Sequence, residues 1–115
     1  MASRSPLLRI HDMLESIRGI ERAVRGKTPS SYAKSWVTRS AVERGIEIIS
    51  EASRHLPKDL KAQHNAVRWR DVADIGNILR HEYQRVEPDI IWRTVKGYFP
   101  ELKAALLAMK TELEV

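Results

Sequence analysis

The sequence predicts an all-α fold, an up-and-down bundle of four main helices with a short fifth. Three observations carry this. Apolar residues recur at three- and four-residue spacing along most of the chain. Ser-Pro and Thr-Pro-Ser steps open helices, and glycines and prolines close them. No stretch alternates apolar and polar residues as a strand does, and no Asn-Gly hairpin signal occurs. Helices with one apolar stripe each must bury it against one another, which gives a bundle.

Ser5-Pro6 starts the first helix, a serine cap followed by a proline whose missing N–H costs nothing there. Leu7, Ile10, Met13, Leu14, Ile17, Ile20 and Val24 follow at helical spacing, and Gly26 and Pro29 end the element, so it spans residues 5–25. Thr28-Pro29-Ser30 forms a turn and the next cap. The second pattern runs through Tyr32, Trp36, Val37, Ala41, Ile48, Ile49 and Ala52 to Pro57, predicting a helix over 30–55. Glu43, Arg44, Glu47, Glu51 and Arg54 supply its wet face. Gly45 inside it is a weak point of about 1 kcal/mol relative to alanine. Residues 56–68 form a polar connection with room for one helical turn. A third helix covers Trp69 to Tyr83. Residues 86–89 turn, and Pro88 starts a short helix carrying Ile90, Ile91, Trp92 and Val95, broken by Gly97 and Pro100. Leu102, Leu106, Leu107 and Met109 mark a last helix over 101–113.

At 115 residues the chain suits one domain, taken as residues 1–115, large enough for a core without staples. There is no cysteine, which excludes disulfides and thiolate metal sites and fits a reducing cytoplasm. The first residues lead into a charged helix, unlike a signal core, and no apolar run is long enough to span a bilayer, so no membrane association is expected. The net charge of +5 and pI near 9.8 favour acidic partners, nucleic acid first. That charge is spread along the chain, so a solvated basic surface explains it equally well. Only 6% of residues are aromatic, which argues against a single-strand stacking platform. Trp36, Trp69 and Trp92 fit core or interface anchors better.

The chemistry gathers on the third helix. On a wheel of about 100° per residue, Val72, Ile75, Ile78 and Leu79 share one arc, expected to face the core. Arg70, Asp74, Asn77 and His81 share another. This stripe is either a site or a solvated face of ordinary i,i+4 pairs, Arg70–Asp74 and Asn77–His81. Ala73 and Gly76 lie on a third side with Arg80. Two small residues at i,i+3 permit close helix approach, either within the chain or across a dimer seam. His11 has no partner pattern, and His55 and His64, flanking a turn, are expected in solvent. No histidine pair with a glutamate at zinc spacing, phosphate loop or nucleophile elbow occurs, so no metal or cofactor is expected.

The run Asn77-Ile78-Leu79-Arg80-His81-Glu82-Tyr83 resembles the signature of the HepT-like family of the HEPN superfamily. Ala41 to Ala52 resembles that family's second helix, Trp69-Arg70-Asp71-Val72 its tryptophan-led start of the third, and Val86 to Val95, with Trp92, its following turn and fourth helix. The resemblance implies a homodimeric HEPN-like helical domain. It also implies a metal-independent endoribonuclease toxin, acting on RNA at a composite dimer site and paired with a minimal nucleotidyltransferase antitoxin that adenylylates the signature tyrosine. His81 and Tyr83 match the signature histidine and tyrosine, and Asn77 its polar residue. The signature arginine position is Gly76. The resemblance thus implies His81 as acid/base group, with Asn77 beside it, Arg80 or Arg70 as phosphate clamp, and Tyr83 as AMP acceptor. The alternative is a non-catalytic HEPN dimer that binds a nucleotidyltransferase or a nucleotide.

Overall fold

The computed structural model describes residues 5–82 and 86–114. These form seven helices and no strand: α1 (Pro6–Val24), α2 (Pro29–Lys34), α3 (Trp36–Arg54), α4 (Lys58–Ala62), α5 (Trp69–Glu82), α6 (Pro88–Gly97) and α7 (Phe99–Leu113). The all-α class stands. The expected second helix does not run unbroken. Ser35 leaves helical geometry at φ −101° and ψ 103°, and its hydroxyl accepts the Thr38 N–H at 3.1 Å. That side chain is an N-cap, so it ends α2 and starts α3 within one residue. The apolar rhythm crosses the break, which hid it. Tyr32 on one side is buried, whereas Trp36 and Val37 on the other are 72% and 71% exposed.

Two starts are as the sequence implies. The Ser5 hydroxyl accepts the Leu8 N–H, and Thr28 and Ser31 form a reciprocal capping box, both ahead of a proline in the first turn. Gly26 adopts φ +74° just past α1, the left-handed conformation that glycine takes without a Cβ penalty. The polar connection contains one short helix, α4. Gly97 and Pro100 do not open a gap. α6 runs to Gly97 and α7 begins at Phe99, with Pro100 in its first turn, where a proline is tolerated.

α3 lies between α1 and α5. Residues 9 and 12 face 51 and 52 while 20 faces 45, so α1 and α3 are antiparallel. Arg54 reaches Ala73 while Ser50 reaches Gly76, so α3 and α5 are antiparallel too. α7 packs on α1, and α6 bridges α2 and α7. The core is one cluster: Ile10, Met13, Leu14, Ile17 and Ile20 of α1 meet Val42, Ile46 and Ile49 of α3, with Leu79, Ile91, Leu102, Leu106 and Met109 closing it. Fully burying one such aliphatic side chain stabilises the fold by about 1.5–3 kcal/mol. Gly45 is not merely a weak point. A Cβ there would lie 2.8 Å from Ile20 Cδ1, so its bare backbone lets α1 settle onto α3.

Tryptophan indoles fix two joints. Trp69 Nε1 donates to the carbonyls of Lys61 and His64 at 3.2 and 3.1 Å, tying the first turn of α5 to the end of α4. Trp92 packs against Tyr32 with ring centroids 5.6 Å apart and planes tilted by 47°, pinning α6 to α2, and Lys96 Nζ sits 4.9 Å from the Trp92 ring centroid. His64 departs from expectation. Its side chain is only 15% exposed and pairs with Glu112 at 3.1 Å, fastening the connection to α7.

Candidate active site

α5 carries the candidate residues because its two long sides differ. Leu79 is buried and Val72 and Ile75 pack partly into the core. Ile78, expected with them, is 43% exposed. It stands at the edge of the apolar arc and is not among the side chains packed on the core. The opposite face holds Arg70, Asp74, Asn77 and His81, all exposed. An apolar cavity of about 200 Å³ lies on the core side of α5, lined by Ile46, Ile49, Val72, Ile75, Phe99 and Leu102, away from these polar groups.

The small-residue side is an intrachain crossing. Ser50 of α3 is 1% exposed; its Oγ donates to the Ala73 carbonyl at 2.6 Å and accepts the Gly76 N–H at 3.2 Å. Arg54 also donates to the Ala73 carbonyl, at 2.8 Å. A Cβ on Gly76 would fall 2.6 Å from Ser50 Cβ and 3.9 Å from Glu47 Cα. Ala73 and Gly76 therefore serve α3 of the same chain, not a dimer seam. The same geometry explains the departure at the signature arginine position: any side chain on Gly76 enters α3.

Arg80 stands about 40° round α5 from Gly76 and rises past that crossing. It lines a cleft between α1, α3 and α5 together with Arg9, Asp12, Arg44, Glu47 and Glu51. Its Nη1 donates to Asn77 Oδ1 at 3.4 Å, which joins two candidate residues. His81 follows Arg80 in the chain, about 100° further round, and makes no hydrogen bond or ion pair among the described residues. Its imidazole is therefore uncommitted. Neither i,i+4 pair expected of a solvated face forms: the ion pair near the start of α5 is Arg68–Asp71 at 3.2 Å instead. Arg70 shares the face of His81 but lies about 16 Å away along the helix axis, at 1.5 Å per residue. The two cannot hold one phosphate within a single chain. Tyr83 lies outside the described residues.

Two carboxyls of α3 are tuned, Glu51 in the cleft and Glu43 beside Arg39. The His55 hydrogen bond, at 3.0 Å, holds the Glu51 carboxyl below its ordinary range against a smaller opposing effect of burial, and the Arg80 charge adds to the lowering. Burial raises Glu43, with Arg39 opposing. Among the described residues no cluster of histidine and acidic side chains could hold a metal ion, and no helix is long and apolar enough to cross a membrane. Sequence patterning missed Arg9 and treated Arg44 as wet surface. Only the antiparallel packing brings them to Arg80.

Comparison with known proteins bears on this arrangement. The protein named "Probable ribonuclease HepT" from Thermococcus cleftensis is 36% identical over 94 residues, covering 82% of this chain and 86% of that one. A "Putative RNase" from Caldanaerobacter subterraneus is 32% identical over 100 residues, 87% of this chain and 89% of the relative. The "Gamma-glutamylcyclotransferase and putative RNase" from Methanocaldococcus jannaschii is 34% identical over 105 residues, 91% of this chain. The chain spans only 47% of that protein's length. No solved structure matches significantly. The family model described as ribonuclease HepT-like matches residues 13–109, from the middle of α1 to the last turns of α7 and across the whole of the α3–α5 crossing. With an all-α HEPN-like fold and similarity along almost all its length, the chain belongs to the ribonuclease HepT-like family.

Proposed function

We propose that this chain is an endoribonuclease whose acid/base group is His81. The observation that carries the reading is the state of His81 itself. It is exposed on α5, makes no hydrogen bond or ion pair among the described residues, and is one residue from Arg80, whose guanidinium bonds Asn77 and lends its charge to Glu51. His81 takes the proton of a ribose 2′-OH, and the O2′–P bond forms as the P–O5′ bond breaks. The leaving O5′ regains a proton, giving a 2′,3′-cyclic phosphate and a 5′-hydroxyl. An imidazole can both take and give a proton at its ring nitrogens, which suits both transfers. Arg80 neutralises the charge that grows on the phosphorane oxygens, and Asn77 holds the guanidinium. The family names of the relatives support RNA as the substrate class.

In the finer reading the chain is the toxin of a cytoplasmic toxin–antitoxin pair. It works as a homodimer in which the exposed faces of two α5 helices meet, so that Arg70 of one copy serves the site of the other. Its antitoxin is a minimal nucleotidyltransferase that transfers AMP to Tyr83. The exposed Ile78 beside His81 supports an interface on this face. Gly76 favours a second reading, a dimer that binds its partner without cleaving RNA, because the crossing with Ser50 leaves no room for the signature arginine. Expression in a bacterial host separates the two. Growth arrest that His81→Ala relieves supports the nuclease; arrest unchanged by His81→Ala, or no arrest at all, supports the binding module.

A further inference from the structure

We propose that the cleft between α1, α3 and α5 is a phosphate-binding subsite for the RNA backbone, with Arg9, Arg44 and Arg80 as its cations. The inference rests on RNA being the ligand and goes beyond the cleavage reading. These arginines come from three helices and converge on one cleft of about 300 Å³. A scattered basic surface does not require such convergence. Guanidinium groups are planar forks that match pairs of phosphate oxygens.

Three carboxylates line the same cleft, so its formal charge is balanced. What matters is which groups are already committed. Glu47 pairs with Arg44 across a long, partly exposed 3.7 Å contact, which a phosphate can replace at modest cost. Glu51 is held by His55 at 3.0 Å, and Asp12 is engaged as well. The arginines are less well served. Arg9 Nε is buried and has no hydrogen-bond partner among the described residues, and Arg80 has a long bond to Asn77 and a through-space attraction to Glu51 that closes no ion pair among the described residues. A buried donor on a charged group that lacks an acceptor costs stability, and an incoming phosphate oxygen supplies that acceptor.

Position gives the cleft its role. Arg80 borders it and is joined by one peptide bond to His81. A strand with its scissile phosphate at His81 runs its neighbouring phosphate over Arg80 towards Arg9 and Arg44. Gly76 cannot carry the signature arginine, so the charge that holds the substrate comes from α1 and α3 instead.

The test measures the affinity of the full-length His81→Ala protein for a single-stranded oligoribonucleotide across a salt series, with Arg9→Gln/Arg44→Gln added. Arg93→Gln, which removes a charge paired with Asp89 on α6, is the control. Each phosphate contact on a single strand contributes about 0.7 to the slope of log affinity against log salt, so the double variant should lower the slope by about 1.4 and weaken binding at least tenfold. The control should leave the slope unchanged, and Arg9→Lys/Arg44→Lys should restore most of it. Equal losses in the control and the double variant, or no loss in the double variant, would overturn the subsite. Cleavage is scored separately with His81 intact. Cleavage whose KM is unmoved by the double substitution overturns the subsite and leaves the nuclease standing. Binding that follows the predicted slopes without any cleavage supports the subsite and removes the nuclease.

Discussion

Gly76 donates its N–H to Ser50 Oγ at 3.2 Å, and a methyl group on Gly76 would sit 2.6 Å from Ser50 Cβ. α3 and α5 therefore touch through a glycine and a serine that satisfies both backbones. The contact sets the depth of α5 against α3 and thereby the height at which Arg80 and His81 emerge. It also makes the position a packing residue where the family signature has an arginine.

Gly76→Ala should destabilise the protein by about 1–3 kcal/mol through overpacking, despite the better helix propensity of alanine. Ser50→Gly should cost about 1–2 kcal/mol in the wild type, by removing a buried hydrogen bond and adding a helical glycine, and clearly less in the Gly76→Ala background. Urea unfolding of the four proteins measures the coupling. Additive costs would mean that the two residues do not share the space described. Gly76→Arg should lower the melting temperature and leave RNA cleavage no faster.

The indole of Trp69 holds the start of α5 through two carbonyls. Trp69→Phe keeps most of the packing and loses both bonds. A loss of about 1–2 kcal/mol follows, read in the urea midpoint with an unchanged m-value.

Tyr32 gives an alkaline signature. Burial, aided by the Glu43 carboxylate and opposed by Arg39, pushes its phenol from 10 up to about 12. The folded value is the raised one, so its contribution is complete below pH 10. Between pH 10 and about 12 the unfolded chain gives up the proton first and stability falls, by about 2–3 kcal/mol over two units. Tyr32→Phe should remove that part of the decline. It should cost little at neutral pH, since the hydroxyl finds no hydrogen-bond partner among the described residues. Unfolding free energies of both proteins between pH 9 and 11 decide it.

The fold was legible where local chemistry decides it. Ser5-Pro6, Thr28-Pro29 and Gly26 mark helix ends because caps and turn dihedrals depend on a few neighbouring residues. Ser35 escaped because its hydroxyl reads as wet surface inside an apolar rhythm that continues through Trp36 and Val37. Ile78 escaped for a related reason: periodicity gives a direction on the helix, not the edges of the helices packed against it. The small pair Ala73 and Gly76 was visible, but whether it faced another copy or the same chain depends on Ser50, 26 residues away. Arg9, Arg44 and the His64–Glu112 pair needed the tertiary fold for the same reason.

The central claim is that His81 carries the chemistry. It is exposed and makes no hydrogen bond or ion pair among the described residues, so His81→Ala should leave the urea midpoint unchanged. The most direct measurement is single-turnover cleavage of an RNA by the purified protein and by His81→Ala, with a metal chelator present and product ends identified. The expected result is cleavage by the first to 2′,3′-cyclic phosphate ends, reduced at least a hundredfold in the second. Equal cleavage by both, or none by either, would contradict the assignment.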